Sequence, residues 1–334
     1  VMVLLAFLTL IQGSRGFGEE LSVFRIGTGG KTGVYYPVGK LIARGITRQF
    51  EKKQDPGGPS RPQTPCVIAV AQNSAGSVEN VRTILSKEIE AGLVQSDVAD
   101  QAHGCRGPFS KDPGSDKIRA IASLYSEKFQ IVTRKDARIR RIQDLRGKRI
   151  SLDEQGSGTL SVMRIILDAY RLSETDFSPV YLKPVFTKGK MISGDLHGFV
   201  MMGGIPMEAV SDLSGVGIFL VPVPKRISSE INKRHPHLVP GLIPANAYPG
   251  VPETPTIQVY AVLAVHADAD PDLVYDITAA LWSDYMGSLF RQGHPQAREI
   301  RLESALTGVT IPLHGGALRF YRDAGLAGTE IPLQ

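Results

Sequence analysis

The chain has 334 residues, which is long for one ordinary domain and predicts two. Hydrophobic residues make up 42% and charged residues 21%, so the composition is that of a globular protein with ample core and excludes a disordered chain. The net charge is +5, but no RNA- or DNA-binding motif accompanies the basic residues, so nucleic acid is not a predicted partner and the mild basicity favours anions.

The N-terminus begins with an apolar run. Residues 1–12 are too few to span a bilayer and are typical of the hydrophobic part of a secretion signal. We therefore predict a signal peptide over residues 1–18, with cleavage between residues 13 and 19. The alternative is a buried N-terminal strand or helix.

Strand-like and helix-like segments alternate through the first half of the chain. Strands are predicted at residues 21–27, 66–71, 93–95, 118–124 and 129–134, helices at residues 38–49 and 77–90, and polar loops at residues 52–65 and 103–115. The segment 77–90 carries its apolar residues on one helical face. Such alternation predicts an α/β fold with parallel strands.

The second half continues the alternation without an internal repeat. A short helix ends at Gly147 and a strand follows it. Further on we predict a helix at residues 160–170, strands at 199–202 and 259–265, a long helix at 271–286 and a loop that enters a helix at 312–321. Both halves of the chain are therefore α/β.

Turns rich in glycine and small polar residues follow strands and precede helices in both halves, at residues 27–36, 73–80, 153–160 and 203–206. Each such turn collects free backbone N–H groups at the positive end of a helix dipole, which favours a bound anion. Ligands of open α/β sheets bind at the carboxyl ends of strands. We therefore predict two lobes whose turns face one cleft and which close around a ligand by a hinge.

The glycine-rich turn at residues 27–33 fits neither nucleotide motif. A P-loop would need glycine where Arg25 stands, and a dinucleotide fingerprint would need glycine where Thr32 stands. A serine nucleophile elbow is not formed either, since Ser157 lacks the glycine two residues before it. We expect Ser157 or Thr159 to cap a helix instead.

Other catalytic and metal-binding patterns are also incomplete. Asp153 and Glu154 are adjacent, so their carboxyl groups would point in different directions on a strand and would not form an acid–base pair. His235 and His237 have no third ligand for a metal ion. We therefore predict no catalytic residue, no metal and no cofactor, and the protein is not expected to be an enzyme.

The chain has two cysteines, Cys66 and Cys105. In an exported protein an even number of cysteines predicts a disulfide. The bridge would close a loop of about 40 residues and stabilise the fold by roughly 4 kcal/mol on the chain-entropy model. The alternative is two independent buried thiols.

These motifs together resemble the TAXI family, the solute receptors of one class of tripartite ATP-independent periplasmic (TRAP) transporters. The resemblance runs from about residue 22 to 325. It is strongest in the first glycine-rich turn with Val-Tyr-Tyr-Pro at 34–37, in Ala-Gly-Ser-Val-Glu-Asn at 75–80 and in Gly-Leu-Val-Gln-Ser-Asp at 92–97. Further support comes from residues 144–149, 156–159, 203–206 and 311–315.

The resemblance implies a type II periplasmic-binding-protein fold, in which two α/β lobes joined by a hinge surround a ligand cleft. Lobe 1 is expected at residues 19–135, lobe 2 at 136–255, and residues 256–334 return to lobe 1 and add C-terminal helices. It also implies a monomeric periplasmic receptor that captures a small carboxylate, such as glutamate, glutamine or a related dicarboxylate, for TRAP permease subunits in the membrane. The alternative is an exported ligand-sensing or immunogenic surface protein on the same fold.

The ligand contacts of the family carry over to Tyr36, Asn73, Ser74, Asn80, Gln95, Ser96, Asp97, Tyr125, Ser157 and Thr159. To these we add Lys31, Gly158 and Gly203 from the same turns. For Tyr35, Tyr36 and Tyr125 a place in the core and a contact with the ligand are equally open. The sequence departs from the family pattern at Lys31, at Asp153 with Glu154, and at His197, which leaves the identity of the ligand open.

Overall fold

A computed structural model describes residues 21–31, 33–53, 66–155 and 157–326 of the protein. The signal peptide predicted at residues 1–18 and most of the loop predicted at residues 52–65 lie outside these ranges. Among the helices inside them, none is both long and apolar enough to cross a membrane.

The described residues form an alternating series of strands and helices. The strands are β1 (Leu21–Gly27), β2 (Cys66–Gln72), β3 (Ala91–Gln95), β4 (Ile118–Arg134), β5 (Arg149–Ser151), β6 (Ser178–Val180), β7 (Gly198–Gly203), β8 (Ile218–Leu220), β9 (Val239–Ile243) and β10 (Thr254–His266). The helices are α1 (Tyr35–Lys53), α2 (Ser77–Leu85), α3 (Ser96–His103), α4 (Gly158–Ala169), α5 (Lys188–Ser193), α6 (Glu208–Ser211), α7 (Lys225–Arg234), α8 (Pro271–Leu281), α9 (Asp284–Gln292) and α10 (Gly315–Asp323).

These strands join in one mixed sheet of order β2-β1-β3-β10-β4-β7-β5-β6, with β8 beside β4 and β9 beside β10. Strand β1 is parallel to β2 and β3, and β5 is parallel to β6 and β7. The long strand β4 pairs with β10 from Ile118 to Lys128 and with β7 from Lys128 to Thr133. Strands β4 and β10 therefore link the two halves of the sheet.

The buried side chains form separate hydrophobic clusters in the two halves. One cluster contains Phe24, Ile42 and Leu93 together with side chains of α8, α9 and α10. In the other half, alternate residues of β7 enter two different clusters, Val200 on one face of the sheet and Phe199 on the other. The predicted α/β architecture with two lobes is confirmed, while the lobe boundaries at residues 135 and 255 stay a prediction.

The structure corrects the two strands predicted at residues 118–124 and 129–134, which are one continuous strand, β4. The polar residues between them remain in the ladder, and Glu127 lies opposite Val259 of β10. Pairing with a long neighbouring strand therefore overrides the weak strand propensity of these residues.

Two predicted helices also change. The helix predicted at residues 271–286 is divided into α8 and α9, because the Ser283 hydroxyl accepts a hydrogen bond from the backbone N–H of Met286 at 3.2 Å and starts a new helix. The helix predicted at residues 77–90 ends with α2 at Leu85, two residues before Lys87 takes a left-handed φ of 61°.

The predicted disulfide is not present in this structure. Cys105 is a free, exposed thiol, and the Ser115 hydroxyl donates to its sulfur at 3.4 Å. Helix α3, which precedes Cys105, packs against β10, and two strands separate β10 from the edge strand β2 that begins at Cys66. The side chain of Cys66 lies outside the described part of the chain.

Close packing of α10 against α8 rests on one of two neighbouring glycines. A Cβ at Gly316 would lie 2.2 Å from the carbonyl oxygen of Pro271 and 2.8 Å from the backbone nitrogen of Tyr275, whereas a Cβ at Gly315 would meet no atom within 4 Å. We expect Gly316→Ala to lower the free energy of unfolding by about 2 kcal/mol. Gly315→Ala should leave it unchanged or raise it by up to about 1 kcal/mol, since alanine favours the helix. Urea unfolding measures both, and equal stability of the variants would contradict this packing.

Candidate functional site

A cleft of about 720 Å³ opens at the carboxyl ends of β1, β3 and β7. Its size is that of a pocket for a small molecule. It is lined by Gly29, Gly30, Gly33, Val34, Tyr35, Ala75, Gly76, Ser77, Val78, Glu79, Arg82, Gln95, Val98, Pro108, Glu127, Asp153, Glu154, Gln155, Ser157, Gly158, Thr159, Met202, Gly203, Gly204 and Met207. Residues of both halves of the sheet thus face one another across the cleft.

One wall of the cleft, here called the first wall, is formed by the turns after β1 and β2 and by the end of β3. Polar side chains behind this wall hold it in place. The Asn80 amide donates to the carbonyl oxygens of Thr28 at 2.7 Å and Leu93 at 2.8 Å, which ties the end of β1 to β3. The Ser74 hydroxyl donates to the same Thr28 carbonyl at 3.0 Å and accepts from the backbone N–H of Gly76. Both side chains therefore shape the turns rather than line the cleft.

The first turn of α2 belongs to the same wall. Gly76 precedes the helix with a φ of 113°, a conformation that favours glycine, and the Ser77 hydroxyl accepts from the backbone N–H of Gln95 at 3.0 Å. The Glu79 carboxylate accepts from the N–H of Ala75 at 2.9 Å. These bonds hold the N-terminus of α2 at the edge of the cleft.

The N-terminus of α4 forms the opposite wall. The Ser157 hydroxyl accepts from the N–H of Leu160 at 3.1 Å, so the predicted cap is confirmed. Burial raises the pKa of Asp153, while the N–H of Glu154 and the Thr159 hydroxyl oppose the rise. The Glu154 carboxylate is paired with Lys183 at 3.2 Å.

The two walls touch beside this helix terminus. A Cβ at Gly158 would lie 2.8 Å from Oε1 of Gln95 and 3.4 Å from a methyl carbon of Val98. A second contact joins the halves where Oε1 of Gln296 accepts from the N–H of Ile205 at 2.7 Å. The N-terminus of α4 therefore packs directly against the end of β3.

A buried carboxyl group lies in the first wall. Glu127, at the middle of β4, is 2% exposed, and its Oε2 atom has no hydrogen-bond partner among the described residues. Burial raises the pKa of Glu127 to about 8; the Gln95 amide and the Tyr35 hydroxyl oppose the rise, and the charge of Asp97 adds to it. Burial also raises the pKa of Asp97 to about 6. Hydrogen bonds from the backbone N–H groups of Val98 and of Asp97 itself oppose this rise.

The structure brings only part of the predicted site residues into the cleft. Gln95, Ser157, Gly158, Thr159 and Gly203 line it. Outside the lining are the exposed Lys31 and Asn73, the half-buried Tyr36 and Ser74, and the buried Asn80, Ser96 and Asp97.

Contacts within the fold explain the positions of several of these residues. Asn80 is fully buried and bonds to backbone carbonyls, as described above. Ser96 accepts from the N–H of Tyr260 at 3.1 Å and is used in the fold. Tyr125 lines a second cavity of about 480 Å³, and the ring of Tyr36 lies beside Lys40.

Tyr35 and Glu127 also line the cleft; the sequence left Tyr35 open between the core and the ligand, whereas it did not predict Glu127. Both outcomes depend on the direction of a side chain: Tyr35 lines the cleft, whereas its neighbour Tyr36 does not. For Glu127 a signal existed, namely a lone acidic residue between two apolar strand patterns. No group of three or more His, Cys, Asp or Glu side chains in the described ranges could hold a metal ion.

The sheet order, the two linking strands and the cleft define the class of two-lobed proteins with the type II periplasmic-binding-protein fold, as the sequence predicted. The model of the NMT1-like family matches residues 26–325, so the chain belongs to that family.

Several solved structures are similar to this chain. A protein of Bordetella bronchiseptica RB50 is 14% identical, with 90% of this chain and 89% of that chain covered and a TM-score of 0.52. The periplasmic aliphatic sulphonate binding protein SsuA from Escherichia coli is 13% identical, with 81% and 75% covered and a TM-score of 0.46. A TctC solute binding protein from Polaromonas is 11% identical, with 83% and 89% covered and a TM-score of 0.46. At these identities the likeness bears on the fold alone.

Proposed function

We propose that the protein is a solute-binding receptor that holds a small carboxylate between its two lobes and delivers it to a membrane permease. The observation that carries the proposal is the cleft with the N-termini of α2 and α4 on opposite walls. Free N–H groups and helix dipoles at Ser77 and Gly158 favour a carboxylate between them.

The hinge of this receptor lies where β4 and β10 pass from one half of the sheet to the other, near Lys128 and Gln258. Small backbone changes there would move the N-terminus of α4 toward or away from Gln95. Closure around the ligand excludes water and brings groups of both lobes onto it, and a permease would recognise the closed form.

The finer assignment follows from the sequence resemblance. It makes the protein a periplasmic, monomeric TAXI receptor of a TRAP transporter, with glutamate, glutamine or a related dicarboxylate as ligand and no catalysis. Lobe boundaries at residues 135 and 255 belong to the same proposal.

A thermal-shift screen of amino acids and dicarboxylates tests the receptor function. A ligand present at one hundred times its dissociation constant should stabilise the fold by roughly 2.7 kcal/mol. Native mass spectrometry of protein purified without refolding should find the same compound bound. Stabilisation by sugars or inorganic cations alone would contradict carboxylate binding, and turnover of the bound compound would contradict the absence of catalysis.

A further inference from the structure

The carboxyl group of Glu127 has the environment of a ligand-binding group rather than a structural one. It lines the cleft from the middle of a central strand, yet it is 2% exposed. Its Oε2 atom has no hydrogen-bond partner among the described residues. Buried polar atoms are nearly always paired, so an unpaired carboxyl oxygen on a residue that lines a cleft is a position for a partner that comes from outside the chain.

Most of the charged side chains that line the cleft with Glu127 are acidic. The carboxyl and guanidinium side chains of the lining are Glu79, Arg82, Glu127, Asp153 and Glu154. The only cationic one in this described lining, Arg82, is already bonded to the Asp112 carboxylate and the Pro108 carbonyl, both at 2.9 Å. An anion placed at Glu127 would therefore meet no free positive side chain of the lining.

The groups that face Glu127 come from each element packed around it. They are Tyr35 of α1, Gln95 of β3, Asp97 of α3 and Tyr125 of β4. Burial raises the pKa of both tyrosines well above the usual value, so they stay neutral. Asp97 adds negative charge, and Asp100 raises the pKa of Asp97 further. A cationic group is thus the partner that this set favours.

We propose that Glu127 binds an ammonium group of the ligand. The ligand would then be an amino-carboxylate, with its ammonium group at Glu127 and its carboxylate at the N-termini of α2 and α4. This inference rests on the proposed receptor function. It follows because a buried ammonium needs a paired charge and hydrogen-bond acceptors, and Glu127 with Asp97 behind it supplies both.

The protonation state of Glu127 provides a measurable test of ammonium binding. Without ligand, burial raises its pKa to about 8, so the carboxyl group holds its proton at pH 7. An ammonium beside it favours the ionised form, and the proton leaves to solvent as the ammonium–carboxylate pair forms. Binding should then release about one proton per ligand. A ligand that only accepts a hydrogen bond from neutral Glu127 would release none.

Calorimetric titration at pH 7 in phosphate and in Tris, whose ionisation enthalpies differ, measures both affinity and proton release. The probes are matched pairs with and without an amino group: L-glutamate with glutarate, and L-glutamine with glutaramate. We expect each amino compound to bind at least tenfold more tightly than its partner and to release about one proton. Equal affinities within the pairs, or binding without proton release, would overturn the inference and leave the receptor function standing. Binding of none of the four compounds would contradict the receptor function itself.

Glu127→Gln supplies the second test, since glutamine has the shape of the protonated acid and should fold. It should weaken L-glutamate binding by about ten- to a hundredfold, abolish proton release and leave glutarate binding unchanged. Glu303→Gln makes the same substitution at an exposed position outside the cleft and should alter neither quantity. Unchanged glutamate affinity and proton release in Glu127→Gln, with a native circular dichroism spectrum, would overturn the assignment.

Discussion

Replacing Gly158 with valine is expected to weaken ligand binding at least a hundredfold, about 2.7 kcal/mol, while the protein remains folded. Gly158 is the first residue of α4, and it lies against the end of β3. The branched side chain of valine would meet Gln95 and Val98, so the N-terminus of α4 could not approach the opposite wall. In enzyme sites a displacement of about 1 Å can lower the rate by two orders of magnitude, and we expect a comparable loss of affinity here.

Substitutions of different size at Gly158, with a control at Gly189, test this prediction. In Gly158→Ala the added carbon would meet the end of the Gln95 side chain, which can turn away, so we expect a loss of less than about tenfold. Gly189→Val, in α5, places the same side chain where a Cβ meets no atom within 4 Å and should bind normally. Calorimetric titration with the compound found in the thermal-shift screen measures all three. Parent-like affinity in Gly158→Val would show that closure at α4 is not part of binding.

The turns of the cleft were accessible from the sequence because their chemistry is local. Ser157 and the residues after it carry the small polar side chains and glycine of a helix start, and the structure places them in the cleft. Gln95 was predicted as a ligand contact from the family resemblance, and the structure places it at the end of β3, directly before α3. The start of a helix, as at Ser157, depends mainly on local sequence.

The direction of each side chain could not be predicted in the same way. Tyr35 and Tyr36 begin one helix and differ by about 100° around its axis, so the sequence does not decide which faces the ligand. Glu127 was missed because strand propensity breaks near it, whereas pairing with β10 continues. These outcomes depend on tertiary contacts between segments that are far apart in the chain.

Asn80 was predicted to contact the ligand, but the structure gives its side chain a structural role. Its amide bonds to the carbonyls of Thr28 and Leu93, and the residue has no exposed surface. The sequence shows an asparagine beside the apolar face of a helix and cannot tell whether its amide meets ligand or backbone. The two roles predict opposite results for one substitution, which makes Asn80 the best residue for separating fold from site.

Asn80→Ala is expected to lower the free energy of unfolding by about 2–4 kcal/mol, because it removes two buried hydrogen bonds and leaves carbonyl oxygens without that partner. Ligand affinity of the remaining folded protein should fall less than about tenfold, since Asn80 does not line the cleft. Asn73→Ala, at an exposed position of the preceding turn, should change neither quantity. Urea unfolding and calorimetric titration of both variants give the comparison. Loss of binding in Asn80→Ala at parent-like stability would restore Asn80 as a ligand contact and would require the first wall of the cleft to open in the bound form.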